Sequence, residues 1–209
     1  DTIQLISNFI ADEGLVVYPE KSLRHTIGNA GFENFFFSPG NLPWIYAKYF
    51  KNNSEIRSVQ YLDKAIVYTR SNVADATFKL RIFKADEEGK PGTDLITESI
   101  IVHVKRGNKK NMIDLLKYNV KIPKEGVFVG IEWILAENNR IKTTTYIKGD
   151  EVFSDFKYAP DLISNKVEKT NAYRYISGEW KSNEAFIKTK EESDPKPFIE
   201  PAINLILTN

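Results

Sequence analysis

A chain of 209 residues without a single cysteine can bury a sizeable core unaided, and it excludes disulfides, thiol nucleophiles, thiolate zinc sites and redox motifs together. Its 29 basic and 28 acidic residues are interspersed, so no net field draws it onto nucleic acid or anionic lipid. Its apolar runs fall far short of the roughly 18–20 residues that a membrane-spanning helix needs, and no charged-then-apolar export signal opens it.

The chain opens on Asp1, and Met112 is its only methionine, so we expect a processed or excised piece of a longer protein. The lack of thiols leans towards an exported, extracytoplasmic protein. Residues 1–46 are irregular and read as an N-terminal extension or a few added strands packed on the main domain, which we place at 47–209. Within the extension, "SLRHTIGNAG" reads as a polar loop around His25. In "ENFFFSPG", Phe35, Phe36 and Phe37 cannot all point one way in a strand, so one face needs cover from a domain, a partner or the chain's own terminus.

From residue 60 onwards, period-two alternation dominates, the mark of strands with one buried face. "SVQYLDKAIVYTR" is the first such segment. "TFKLRIFKA" then sets Phe78, Leu80 and Ile82 on one face and Lys79 and Arg81 on the other. "LITESIIVHV" puts Ile96, Ile100, Val102 and Val104 inward and His103 outward. "MIDLLKYN" is either one short helical turn or part of an edge strand. "GVFVGIEWIL" is apolar on both faces, so it reads as a central, doubly covered strand with Trp133 in the core. "AYRYISGEWK", "EAFIKTK" and "AINLILT" follow, and the charged, proline-broken "KTKEESDPKPF" reads as an exposed loop. Turn residues in "RSNVADA", "RGNKKN", "IPKEG", "AENNR" and "IKGDE" separate the runs. Many short strands so spaced predict an all-β fold with little helix, an antiparallel sandwich of jelly-roll-like form.

"KADEEGKPGTDLI" poses a choice between a turn and a cation site. Asp86, Glu88 and Asp94 are the candidate metal ligands, but Lys90 sits among them, and Pro91-Gly92 suits the central positions of a type II turn. We read a hairpin connection and expect no metal.

The segments "LRIFKADEEGKPGTDLI", "IDLLKYNVKIPKEGVFVGIEWI", "SGEWKS" and "PAINLILT" resemble the β-sandwich modules that follow a carboxypeptidase-regulatory-like domain in exported proteins of Bacteroidetes-type bacteria. The likeness covers roughly residues 47–209. It implies a jelly-roll-like fold similar in outline to carbohydrate-binding modules, and an exported or cell-surface location. It supplies no catalytic set.

No motif supports catalysis. His25 and His103 have neither metal-ligand spacing nor a nucleophile elbow, and the phosphate-loop and dinucleotide glycine patterns are missing. Glu132, in the most apolar strand, is read as an ion-pair partner of Lys79 or Arg81 rather than a catalytic acid. Thirteen Phe, ten Tyr and three Trp are the remaining resource. Trp44, Tyr46 and Trp180 are the rings we expect to be exposed and ligand-binding, because flat rings stack on the apolar faces of sugars. The expectation is a non-catalytic accessory binding module without cofactor, its partner a glycan or a neighbouring protein domain. The alternatives are a structural or protein-interaction domain packing on its neighbours, and an unrecognised hydrolase.

Overall fold

The computed structural model describes residues 23–39, 44–148, 151–184 and 198–209. In chain order, β1 (Arg24–Ile27) and β2 (Phe35–Phe37) join one sheet, here sheet A, and β3 (Ile45–Phe50) crosses to a second, sheet B. β4 (Tyr61–Ser71) returns to A. β5 (Ala76–Ala85), β6 (Pro91–Asp94) and β7 (Ile100–Val104) lie in B, β8 (Gly107–Asp114) in A and β9 (Val127–Trp133) in B. β10 (Arg140–Lys148) and β11 (Glu151–Tyr158) pair with each other as a separate two-stranded ribbon among the described residues. β12 (Asp161–Val167) goes back to A, β13 (Ala172–Ile176) and β14 (Glu179–Ser182) to B, and β15 (Phe198–Pro201) with β16 (Ile203–Thr208) completes A.

Sheet A runs β1-β16-β4-β12-β15, with β2 beside β12 and β8 beside β4; sheet B runs β14-β13-β3-β9-β5-β6, with β7 also on β5. Their strand pairings are antiparallel, and no helix of seven or more residues occurs among the described residues. The fold is therefore the all-β sandwich that the alternation predicts.

Alternation builds the core directly. Phe78, Leu80 and Ile82 of β5, Val129, Ile131 and Trp133 of β9, and Tyr46 of β3 face Leu62 and Val67 of β4, Leu162 of β12, and Ile203, Leu205 and Leu207 of β16. Each such aliphatic or aromatic side chain stabilises by about 1.5–3 kcal/mol through burial. Trp133 also satisfies its indole by donating to the Pro160 carbonyl at 2.7 Å. β9 lies between β3 and β5 and is covered on both faces, as its doubly apolar sequence predicts. Among the described residues an ion pair spans the two sheets: Lys48 Nζ lies 3.3 Å from Glu200 Oε2, with side chains 10% and 8% exposed. The second oxygen of Glu200 accepts the Asn171 backbone N–H at 2.7 Å.

Several expectations are corrected. His25 lies in β1, paired with Leu207, rather than in a loop. The Asn204 side chain clasps both backbone groups of Ala30, and Asn165 does the same for Gly31, tying the segment after β1 onto sheet A. The division drawn after residue 46 falls inside β3. Residues 95–99 stand outside the strand that carries Ile100, Val102 and Val104. The turn after β5 is not centred on Pro91-Gly92. Asp86 Oδ1 accepts the N–H groups of Glu88 and Lys90, Gly89 takes the positive φ of 74°, and Pro91 already opens β6. An aspartate that caps two backbone donors fixes the reversal earlier than proline would. Phe37 enters the core, while Phe36 turns outward over Arg70, with the guanidinium 3.6 Å from the ring centre. The segment "EAFIKTK" beyond Glu184, most of the loop around "KTKEESDPKPF", the middle of "IKGDE" and residues 1–22 lie outside the described residues.

Candidate functional site

The outer face of sheet B carries the side chains that alternation points away from the core: Ile45, Ala47 and Tyr49 of β3, Phe128, Gly130 and Glu132 of β9, Arg81 and Phe83 of β5. Two of these are small and adjacent. Gly130 pairs with Ala47, and β3 runs so close that a Cβ on Gly130 would sit 2.6 Å from the Tyr46 carbonyl oxygen. The floor of the face is therefore low in the middle.

Its walls come from the two ends of the sheet. β13 and β14 form a hairpin whose two loop residues, Ser177 and Gly178, have φ of 54° and 88°, the pattern of a type I′ turn. This turn sets Tyr175 opposite Trp180, with ring centroids 5.2 Å apart. Trp180 also meets Phe83 edge-on at 5.2 Å, although β13, β3 and β9 separate their strands in the sheet order. Four gaps of about 4.8 Å would place the two backbones about 19 Å apart in a flat sheet, beyond what two rings span, so the face is concave.

The concavity holds a hollow of about 630 Å³ lined by Trp44, Tyr175, Trp180, Arg81, Asp94 and Glu132, with Phe83 at its side. This volume lies in the range of small-molecule sites. Arg81 organises its polar half. Its Nε donates to Asp94 Oδ1 at 2.8 Å, its Nη2 to the other Asp94 oxygen, and its Nη1 to Glu132 Oε2 at 2.5 Å. The hydrogen bonds that Arg81 donates to Asp94 are the main reason why the guanidinium pKa stands well above its ordinary value, with Glu132 adding to the effect against partial burial. Lys79 is the residue directly opposite Glu132, yet Arg81 takes the carboxylate, because its own opposite number, Gly130, leaves the space to lean across. Three of the five guanidinium N–H groups are used in this fork, leaving two donors. Glu132 Oε1 keeps its acceptor capacity. The arrangement can read a pair of hydroxyls beside an aromatic wall.

The sequence-selected residues divide accordingly. Trp44 and Trp180 come together in this hollow from opposite ends of the chain. Trp44 is half-buried, its ring 5.1 Å from that of Phe37 at the margin of the core. Tyr46 is not part of the site. It has the inward parity of β3 and is fully buried, its hydroxyl donating to the Ile199 carbonyl at 3.1 Å and accepting from Asn183 Nδ2 at 3.0 Å. Burial pushes its phenol pKa far up, opposed by the neighbouring Arg174. Asp86, Glu88 and Asp94 do not converge: Asp86 caps the turn, Glu88 pairs with Lys90 at 2.6 Å and Asp94 belongs to the Arg81 fork. Among the described residues no group of three or more potential metal-ligating side chains occurs. His103 Nδ1 lies 2.9 Å from Asp75 on an exposed edge, in the other sheet from His25.

Tyr175 and the Asp94 contribution are what sequence reasoning missed. Tyr175 was legible, since "YISGEW" places it across a two-residue turn from Trp180. A second concavity, of about 570 Å³, lies between the β3–β4 and β8–β9 connections and is lined by Arg57, Lys121, Lys124 and amide side chains without any aromatic ring. No family model matches the sequence, and neither a curated protein nor a solved structure is significantly similar to it.

Proposed function

We propose that this domain is a non-catalytic accessory module of an exported or cell-surface bacterial protein, and that it binds a glycan in the hollow on the outer face of sheet B. The single observation that carries this reading is the convergence of the Trp180 and Tyr175 rings with the Arg81–Asp94–Glu132 fork in one concave site. A sugar ring has an apolar face that stacks on an aromatic wall and a rim of hydroxyls that both donate and accept. Glu132 Oε1 accepts such a donor, and the unused guanidinium N–H groups meet such an acceptor. A fatty ligand leaves Glu132 Oε1 and the unused guanidinium N–H groups of this fork without partners, which disfavours it. A strongly acidic ligand meets two carboxylates for one guanidinium, a net negative wall.

The proposal assigns no bond-breaking step. Asp94 and Glu132 both accept from the same guanidinium, whereas glycoside hydrolysis needs one carboxyl poised as a proton donor on a separate face of the bond. The lack of thiols in 209 residues is what supports the extracytoplasmic location.

Affinity electrophoresis through neutral polysaccharides, with Trp180→Ala checked for folding by circular dichroism, tests the reading. At least one polysaccharide should retard the wild type, and Trp180→Ala should bind at least tenfold more weakly. Folded protein that no neutral glycan retards, or a Trp180→Ala variant that binds as well as the parent, refutes it.

A structural or protein-interaction role is the second reading. The observation in its favour is on the outer side of sheet A, where Phe32, Phe36 and Met112 are 51%, 44% and 55% exposed.

A further inference from the structure

We infer that the binding surface does not end at the first hollow but continues along the strands into a second one, so that the ligand is an uncharged linear glycan chain of several sugars and not a single terminal sugar. This rests on the glycan reading and deepens it.

The second hollow, about 330 Å³, is lined by Tyr49, Phe128, Tyr173, Asn171, Lys169 and Glu184. It lies on the same face of the same strands. Tyr175 of β13 lines the first hollow and Tyr173, two residues away, the second; Trp180 and Ser182 of β14 divide in the same manner. Phe83 lines the first hollow, and Phe128, its direct cross-strand partner, the second. Residues two apart on one face are separated by roughly 7 Å, and direct cross-strand partners by about 5 Å. The hollows therefore share one wall. That wall is an aromatic ridge, with Trp180 edge-on to Phe83 and Tyr173 edge-on to Phe128 at 5.5 Å.

From Ile45 and Glu132 in the first hollow to Tyr49 and Phe128 in the second is four residues along the paired strands, roughly 13 Å. A monosaccharide occupies one hollow. An extended chain lying parallel to β3 and β9 reaches both, with rings to stack on at each end and the ridge between. The two hollows also agree in carrying no net positive charge. The second offers one lysine and one glutamate, the first one arginine and two carboxylates, so neither holds an excess of cations for a uronate or sulfated chain.

The test is isothermal titration of the intact domain with linear neutral oligosaccharides of one to six sugars, from cello-, manno- and xylo-oligosaccharide series. Affinity in the series that binds should rise at least tenfold between the disaccharide and the hexasaccharide. Ser182→Tyr, which fills the second hollow without removing a core contact, should cancel that gain and leave the disaccharide affinity unchanged; Tyr49→Ala should act in the same direction. Trp180→Ala should weaken short and long ligands alike. Binding that does not depend on chain length, or Ser182→Tyr weakening the disaccharide as much as the hexasaccharide, overturns the two-hollow inference while leaving the glycan reading in place. Failure of all three series to bind the folded wild type removes both.

Discussion

Replacing Arg81 by methionine removes the centre of the fork while keeping most of the side chain's apolar length. Three hydrogen bonds to two carboxylates are lost, together with a guanidinium 4.9 Å from the Phe83 ring. The side chains of Arg81, Asp94 and Glu132 are 20%, 29% and 34% exposed, so the site lies between two limits. Exposed ion pairs are worth about 0.2–1 kcal/mol, and breaking a buried one costs about 3–5 kcal/mol. A two-carboxylate fork with one bidentate arm at intermediate exposure should cost about 2–3 kcal/mol on this scale. For a domain of this size that lowers Tm by about 4–12 °C. Thermal unfolding followed by circular dichroism reads it, and the loss should shrink in high salt, which screens the two stranded carboxylates. Adding Asp94→Asn and Glu132→Gln to Arg81→Met should recover at least half of the loss, because the repulsion disappears with the charges. Arg81→Lys should fall between, holding charge but not the fork. A loss below about 0.5 kcal/mol, or a triple variant no better than the single one, would show that the fork does not hold the strands together.

Two further outcomes follow from the buried polar groups. Lys48→Met should destabilise by about 3–5 kcal/mol in urea unfolding, because Glu200 is left charged between the sheets, whereas Lys48→Met with Glu200→Gln should lie within about 1 kcal/mol of wild type. For Tyr46, burial raises the phenol pKa in the folded state above the ordinary 10.0. The unfolded chain therefore loses this proton first, and the stabilising contribution of the neutral phenol is complete below pH 10 and declines above it. Tyr46→Phe should cost about 1–2 kcal/mol at neutral pH through its lost hydrogen bonds, yet flatten the fall in stability measured between pH 10 and 12.

Much of sheet B was legible because its strands obey one parity over long runs. Phe78, Leu80 and Ile82 face the core, and Lys79, Arg81 and Phe83 face out, with no bulge between them. The Glu132 partner was legible for a related reason: an acid in an apolar strand needs a cation from the next strand, and only two were at hand. Tyr46 was misread where the same rule misleads, because Lys48 in "PWIYAKYF" shares its parity and marks that face as solvent-facing, whereas Lys48 is buried against Glu200 between the sheets. What no local pattern shows is long-range pairing. β2 has three residues and pairs with β12, and β1 pairs with β16 at the other end of the chain, so their places follow from contacts more than a hundred residues away. The candidate site is illegible for the same reason in part. Trp180 and Phe83 meet because sheet B curls, and curvature belongs to the whole sheet rather than to either segment.

That curvature links stability to binding at one residue. β6 has four residues and is held to β5 by few ladder partners, Asp94 opposite Phe83 and Pro91 opposite Ala85, with a register shift between them. Arg81 on β5 supplies what the ladder lacks by gripping Asp94, and through Glu132 it joins β6 to the central strand β9 as well. The same grip sets the orientation of both carboxylates at the mouth of the hollow. A side chain that merely touched ligand could be lost without cost to the fold, and one that merely held strands could be replaced, together with its charged partners, by uncharged residues of similar volume with little loss. Arg81 fits neither case, since an apolar substitute closes the strand gap but leaves the hydroxyl-reading oxygens unheld. The triple variant separates the two roles: it restores the melting temperature but not the glycan affinity if the fork itself is the recognition element, and restores both if the aromatic wall alone suffices.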